Sequence, residues 1–288
     1  VHNSDTLDAD IARAAELIAA AAGAHSGTAG ATDAAATVPA ADPHHDLRIE
    51  VFTGAGMSAD SGLDTFRDAG TGLWENVDPT ALASIDAWAR DPEPMWAWYL
   101  WRARKSLDAA PNAGHVAVAD WQAEGPGQVH VTTQNIDNLH ERAGARDVAH
   151  LHGSLFDFRC TICARPYRGI HDGDIPVEPV ERATPPTCPR CGNLIRPGVV
   201  WFGEALPHDE WDAAERWARR ADVMVVVGTS GVVYPAAGLP VLAAQSGAVI
   251  IEVTPQPTEL TGLAAVSLST TAAHGLPLLY DAVRDAVG

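Results

Sequence analysis

Long apolar runs are missing from this chain: stretches such as Val223 to Val227 and Val249 to Ile251 fall far short of the roughly 20 residues that span a bilayer. The sequence therefore points away from a membrane protein. Positive charge is also scarce. Nineteen Lys and Arg stand against 37 Asp and Glu, a formal charge of -18, which disfavours broad nucleic-acid binding because that depends on Lys and Arg neutralising phosphates. The same acidity favours solubility and would help attract Lys-rich segments. The opening residues Val1-His2-Asn3-Ser4-Asp5 show no basic patch followed by an apolar stretch, so no secretory signal is visible and the expected location is the cytoplasm.

What is present is enough apolar material for a sizeable core, 47% of 288 residues, in one large domain or a domain with a smaller insertion. Leu7, Ile11, Ala14, Leu17 and Ile18 recur at helical spacing, and Asp8 and Asp10 suit a first turn. A short amphipathic helix over 7–22 is expected. From Gly23 to His45 the chain turns to Ala, Gly, Thr, Ser and Pro with almost no large apolar residue, a composition that does not repay ordering. This stretch reads as a flexible segment. Arg48 to Thr53, Val129 to Thr133, Asp222 to Gly228 and Ala248 to Val253 read as buried strands separated by helix-like stretches. Apolar strands alternating with helices point to an α/β fold with a parallel sheet covered on both faces. Asp68 to Leu107, rich in Trp and Ala with helical periodicity, reads as a helical excursion. Phe158 to Pro197, rich in proline and holding every cysteine, reads as a second one organised by metal.

All four cysteines fall in two pairs, Cys160-Thr-Ile-Cys163 and Cys188-Pro-Arg-Cys191, with 24 residues between them. Two such knuckles supply four thiolates for one tetrahedral zinc. The other readings are disulfides, which a cytoplasmic chain disfavours, and a redox pair, for which a second CxxC is superfluous. Four protein thiolates leave no open position for water or substrate, so such a zinc holds shape and does no chemistry.

After the first strand comes Gly54-Ala55-Gly56-Met57-Ser58-Ala59, a G-x-G-x-x-A turn of the kind that lets backbone N–H groups approach a pyrophosphate. By itself it fits an ordinary strand-to-helix packing turn equally well. Extended to Ser61-Gly-Leu-Asp-Thr-Phe-Arg67, it resembles the sirtuin family. Further matches follow in order: Pro111-Asn-Ala-Gly-His115, Thr133-Gln-Asn-Ile-Asp137, Leu151-His-Gly153, the two CxxC pairs, Arg196-Pro-Gly-Val-Val-Trp-Phe-Gly-Glu204, and Val227-Gly-Thr-Ser230. The resemblance spans roughly 47–285. It implies a Rossmann-like parallel-sheet domain (47–67, 108–157 and 201–288) carrying a helical insertion (68–107) and a zinc-ribbon module (158–200), with 1–46 as an N-terminal helix and flexible segment. It also implies an enzyme that consumes NAD to remove acyl groups from protein lysines, giving nicotinamide and an O-acyl-ADP-ribose.

Residue by residue, the resemblance makes His152 the catalytic base, and imidazole titrates in the range that task needs. Gln134, Asn135 and Asp137 match the polar cluster around the nicotinamide and its ribose, with Asn135 and Asp137 counted as catalytic; both are also good helix-capping types. Gly54, Ala55, Gly56, Ser58 and Ala59 would cradle NAD. Phe66 would cover the reacting ribose, Arg67 would contact the phosphates or ribose, and Gly228, Thr229 and Ser230 would take the adenosine end. Where the family usually has Asn after the fourth strand, this chain has Thr254, which lacks the second donor of an amide. Val199, Val200, Trp201, Phe202 and Gly203 match the segment that pairs with an extended substrate peptide, and otherwise read as an apolar core strand.

Tyr99 and Arg102 lie three residues apart, on one helix face. They resemble the Tyr-x-x-Arg pair of class III sirtuins, whose Tyr and Arg hold the carboxylate of succinyl-, malonyl- or glutaryl-lysine, and Ala83 matches the small residue that makes room for such chains. The guanidinium offers a carboxylate a planar two-pronged donor. The plainer reading is an interfacial Tyr beside one of several surface arginines. Two other functions share these residues: NAD hydrolysis or mono-ADP-ribosylation in the same pocket, and a non-catalytic zinc-ribbon binding module.

Overall fold

The computed structural model describes residues 4–26, 47–63 and 83–287. Most of the expected flexible segment, and all of Phe66 and Arg67, lie outside the described residues. In chain order the strands are β1 (Arg48–Thr53), β2 (Gln128–Thr133), β3 (Val148–His150), β4 (Gly153–Cys160), β5 (Ile195–Val199), β6 (Val223–Val227), β7 (Val249–Val253) and β8 (Val266–Leu268). The helices are α1 (Ser4–Ser26), α2 (Ile85–Arg90), α3 (Pro92–Asp108), α4 (Ala113–Glu124), α5 (Leu139–Arg142), α6 (His208–Arg220), α7 (Gly238–Gln245) and α8 (Ala272–Val287).

Six strands form one sheet in the order β3-β2-β1-β6-β7-β8, parallel at every pairing. Alternation along each strand sends residues to two covered faces. Ile49, Val51, Val131, Val225 and Ile251 pack beneath α1, α4 and α8 through Ile18, Trp121 and Leu279. Phe52, Met224, Val226 and Ile250 pack beneath α6 and α7 through Ala214, Ala218 and Leu239. The four expected strands are all in this sheet. It also holds β3 and β8, three residues each, which are too short to stand out as apolar runs and exist because their neighbours offer an open edge to pair with.

The two excursions form one body. β4 and β5 pair antiparallel, and Leu155, Phe158, Ile195 and Trp201 share a buried core with Trp88, Met95, Trp96 and Trp98 of α2 and α3. Ser84 caps α2 by accepting from the Ala87 N–H, and Pro92 opens α3 where its missing N–H is not needed. Arg104 donates to the carbonyls of Asp172, Ile175 and Pro176, which fastens the long loop between β4 and β5 to α3. Among the described residues no helix is long and apolar enough to cross a membrane.

One residue breaks the apolar rule of the sheet. Glu50 is 1% exposed and, two residues from Phe52, faces α6. Its Oε1 accepts from Thr132 Oγ1 at 2.6 Å, while Oε2 has no hydrogen-bond partner among the described residues. Burial pushes its carboxyl up to about 8, against the opposing pull of the Thr132 hydroxyl. Because the folded value lies above the unfolded one near 4.5, the neutral acid contributes stability that is complete below the unfolded value and is lost as pH rises through about 8. Glu50→Gln abolishes that titration. The melting temperature of the variant, minus that of the wild type, should grow by several degrees between about pH 5 and about pH 9; a constant difference across that range would show that Glu50 does not titrate there.

Candidate active site and metal centre

The carboxyl ends of β1, β2, β6 and β7 release their loops at the same edge, on either side of the point where strand order reverses, where ligands bind in sheets of this kind. With α3 and the segment after β5 they enclose a cavity of about 560 Å³, within the size range of ligand pockets. The loop after β1 forms two 3₁₀ turns, Ala55–Met57 and Ala59–Ser61. Its Gly54 N–H donates to Val227 O at 2.9 Å and its Gly56 N–H to Gly228 O at 2.8 Å. These two N–H groups are thus engaged by the β6 strand and the turn after it, and what the glycines supply is proximity. A Cβ on Gly56 would lie 2.7 Å from Gly228 Cα, so any side chain there would push the two loops apart.

Ser58 is the centre of a buried polar cluster at the cavity wall. Its hydroxyl donates to Asp137 Oδ2 at 2.9 Å and accepts from Asn135 Nδ2 at 3.2 Å. His115 Nδ1 accepts from the Asn112 N–H, which leaves Nε2–H to donate to Ser58 Oγ at 3.4 Å. Burial pushes His115 down to about 4, so it is neutral. The Asp137 carboxyl is raised by burial, opposed by the Leu139 N–H and the Ser58 hydroxyl. The Asp137 to Leu139 contact, at 3.0 Å, is the capping role expected of Asp137, and it coexists with a place on the cavity wall. Among the described residues Asn135 makes no capping contact; its Nδ2 donates to Ser58.

His152 follows β3 and faces the same cavity. Its Nδ1 lies 3.0 Å from Gln134 O. A carbonyl only accepts, so Nδ1 carries the proton and Nε2 keeps the basic lone pair. Burial lowers His152 below the ordinary imidazole value, with the Gln134 carbonyl opposing, so the ring is neutral at pH 7. Gly153 beside it has φ +74, and a Cβ there would collide with Gly198 O; only glycine joins His152 to β4 at this point.

The remaining expected residues separate cleanly. Gly54, Ala55, Gly56, Ser58, Gln134, Gly228, Thr229, Ser230 and Thr254 line the cavity, as do Ala83, Tyr99, Arg102 and the run Val199 to Gly203. Ala59 is exposed and is not among the lining residues. Thr254 Oγ1 donates to Gln256 O at 2.9 Å, so its one donor is used within its own loop and it offers a ligand only acceptor capacity. Val199 ends β5; beyond it Trp201 is buried while Phe202 is 46% exposed, and the Phe202 N–H donates to Ala83 O. The segment is therefore strand and then cavity wall, and not a continuous core strand. Tyr99 is buried, and desolvation pushes its phenol up to about 12. Arg102 lies 4.9 Å from the Trp98 ring centroid, and burial lowers its guanidinium from the ordinary value.

Several supporting residues were given no role from sequence. Asn112 caps α4 together with His115 and donates to Met57 O and Ser61 Oγ, tying the first loop down. Glu252 accepts from the hydroxyls of Thr258, Thr261 and Ser267, which folds the loop after β7 against the cavity. Arg196 grips Glu204 with both prongs, at 2.6 and 2.8 Å, and stacks on Trp201. The spacing Asn112-x-x-His115 was a legible capping signal; the other two depend on contacts that pattern does not reveal.

Cys160 at the end of β4, Cys163, Cys188 and Cys191 bring their sulfurs within 4.8 Å of one another. The pairs Cys160–Cys191 and Cys163–Cys188 are 3.4 and 3.8 Å apart, and none is in a disulfide. Four thiolates around zinc at roughly 2.3 Å stand about 3.8 Å apart, so the donor set and spacing fit a closed tetrahedral site.

A parallel sheet with a dinucleotide-sized cavity at its switch point, joined to a four-cysteine ribbon, defines an NAD-binding α/β protein with a structural zinc module. The Sir2 family profile matches residues 54–235. An NAD-dependent protein deacylase 2 of Corynebacterium efficiens is 66% identical over 232 residues, covering 80% of this chain and 91% of that protein. An NAD-dependent protein deacylase of Corynebacterium glutamicum is 61% identical, covering 80% and 89%. The crystal structure of a Sir2 homologue in complex with NAD superposes with a TM-score of 0.76 at 45% identity, covering 84% of this chain and 91% of that one. The chain belongs to the Sir2 family of NAD-dependent protein deacylases.

Metal analysis of freshly purified protein should find about one zinc per chain. Cys188→Ser should lose it and expose the core shared by the ribbon, α2 and α3, with a large drop in stability. A variant that lacks zinc and melts like the wild type would contradict a structural role.

Proposed function

We propose that this NAD-dependent protein deacylase acts on lysines carrying acidic acyl chains, succinyl and malonyl above all, and on acetyl-lysine less well, with His152 as its base. The observation that carries the reading is that Tyr99, Arg102 and Ala83 face the same cavity as His152. A guanidinium already lowered by burial gains more from a carboxylate partner than an exposed one does. Tyr99, held protonated by its surroundings, keeps an O–H to donate beside it.

NAD, when bound, supplies a labile bond between nicotinamide and ribose and takes up the acyl group. The chain's own residues bind, orient and move protons. Ser58, Asn135 and Asp137 supply donors and an acceptor for the nicotinamide end and its ribose. Gly228, Thr229 and Ser230 hold the adenosine end, with Thr254 accepting one hydrogen bond. Val200 to Gly203 align the substrate peptide through backbone groups, while buried Trp201 and Leu155 keep water from the acyl chain. His152 Nε2 accepts the ribose hydroxyl proton, and the Gln134 carbonyl steadies the imidazolium that results. By family resemblance Phe66 and Arg67 complete the NAD site; both lie outside the described residues.

His152→Ala should keep the fold and NAD binding yet lose about a hundredfold or more in turnover. Since the ring titrates below its ordinary value, kcat/KM of the wild type should fall only on the acid side of about 6.5. Near-normal turnover in the folded variant, or an acid limb well above that value, would refute the role.

Selectivity is tested at Arg102. Arg102→Met should remove about 1.5 to 3 kcal/mol from succinyl-lysine recognition, a loss of roughly tenfold to hundredfold in kcat/KM, while acetyl-lysine is spared. Tyr99→Phe should act in the same direction more mildly, since it deletes one neutral hydrogen bond and keeps the ring. A parallel loss on both substrates would make Arg102 structural. A wild type that prefers acetyl-lysine outright would end the acidic-acyl reading.

A further inference from the structure

His150 closes β3 in register with Thr133 of β2, two residues before His152. Its ring joins the two ends of the segment between β2 and α5. Nδ1 lies 3.1 Å from Asn135 O, and Nε2 lies 2.6 Å from Glu141 Oε1 in α5. His152 holds the preceding carbonyl, that of Gln134, so two histidines grip successive carbonyls of one loop. A carbonyl only accepts, as does an ionised carboxylate, so both nitrogens of His150 carry protons and the ring is an imidazolium. Burial lowers the ring, but Glu141, the Asn135 carbonyl and Asp137 outweigh it and raise His150 above the ordinary 6.5. Burial also works against the Glu141 carboxylate, which the His150 contact nonetheless brings below its usual value. His140, a neighbouring ring that feels this charge, is neutral through burial.

The Glu141 side chain is 42% exposed, and an ion pair so open to water stabilises little by itself. The consequence lies at the other nitrogen. Asn135 is held on three sides: its N–H donates to Thr133 Oγ1, its Nδ2 to Ser58 Oγ, and its carbonyl accepts from His150. Without the third grip the peptide that follows Asn135 is free to turn, and the side-chain amide turns with it. His150 is not among the cavity-lining residues, whereas Asn135 is, so any effect on NAD passes through Asn135. We infer that His150, oriented by Glu141, is a positioning residue that holds Asn135 in place for the nicotinamide end of NAD. The inference rests on the role proposed above for Asn135.

The test uses the full chain with His150→Ala, His150→Asn and His150→Gln. An Asn amide puts a donor where Nδ1 stood and abandons Glu141; a Gln amide does the reverse. His150→Ala should lower kcat/KM for NAD about tenfold at pH 7, with KM for the acyl peptide changed less than about twofold. His150→Asn should recover most of that loss and His150→Gln little of it. In the NAD-free protein, the NMR signal of the Asn135 side-chain amide should move in the Ala and Gln variants and return in the Asn variant. The His150 ring should titrate above 6.5 in the wild type and at a lower pH in Glu141→Ala. Equal losses in all three variants, or no loss and an unmoved amide signal in His150→Ala, at an unchanged melting temperature, overturn the inference while leaving Asn135 its role. Asn135→Ala that leaves kcat/KM for NAD intact instead overturns the role of Asn135, and that of His150 with it.

Discussion

Everything at the site depends on how closely two turns approach one another. β1 and β6 lie side by side in the sheet, and the loops that leave them meet where Gly56 packs on Gly228 with no room for a Cβ on either. Their mutual hydrogen bonds lock the floor of the cavity to the sheet. From that floor Ser58 rises to gather Asn135, Asp137 and His115, and Gln134 reaches across to Thr229 while its carbonyl fixes the tautomer of His152. A single side chain at either glycine would separate the groups that must act together.

Among the described residues the cavity lacks the acidic excess of the molecule: Arg102 and Lys105 line it beside Asp137 and Glu204. A chain with a formal charge of -18 places Arg102 and its sole lysine on one wall of the cavity, with the neutral imidazoles of His115 and His152 on the polar side. Desolvation sets each of these states: it strips the proton from the imidazoles, keeps the Tyr99 phenol protonated, and leaves Arg102 a buried cation that gains most from an anionic partner. The family supplies the chemistry, and this wall is where the proposed choice among acyl groups would be made.

Much of this was legible in the sequence. The strands that enter the sheet's interior were visible because burial on both faces demands continuous apolar runs, as in Val223 to Val227. The cysteine pairs announced their centre through spacing alone. β3 and β8 were not visible, because three residues at a sheet edge take their structure from a neighbour and not from their own pattern. Nor was the union of the helical and zinc excursions, since Trp96 meets Phe158 across 62 residues of chain. Thr254 shows a different limit: its identity could be read as a departure from the family, but only the contact with Gln256 revealed that its hydroxyl proton is already in use.

The central claim is that this cavity couples NAD cleavage to acyl transfer from lysine. Mass spectrometry of a reaction containing the intact chain, NAD and a succinyl-lysine peptide tests it most directly. The account predicts free lysine, nicotinamide and O-succinyl-ADP-ribose in equal amounts. Nicotinamide and free ADP-ribose, formed with the succinyl-lysine left intact, would contradict it and identify an NAD hydrolase instead.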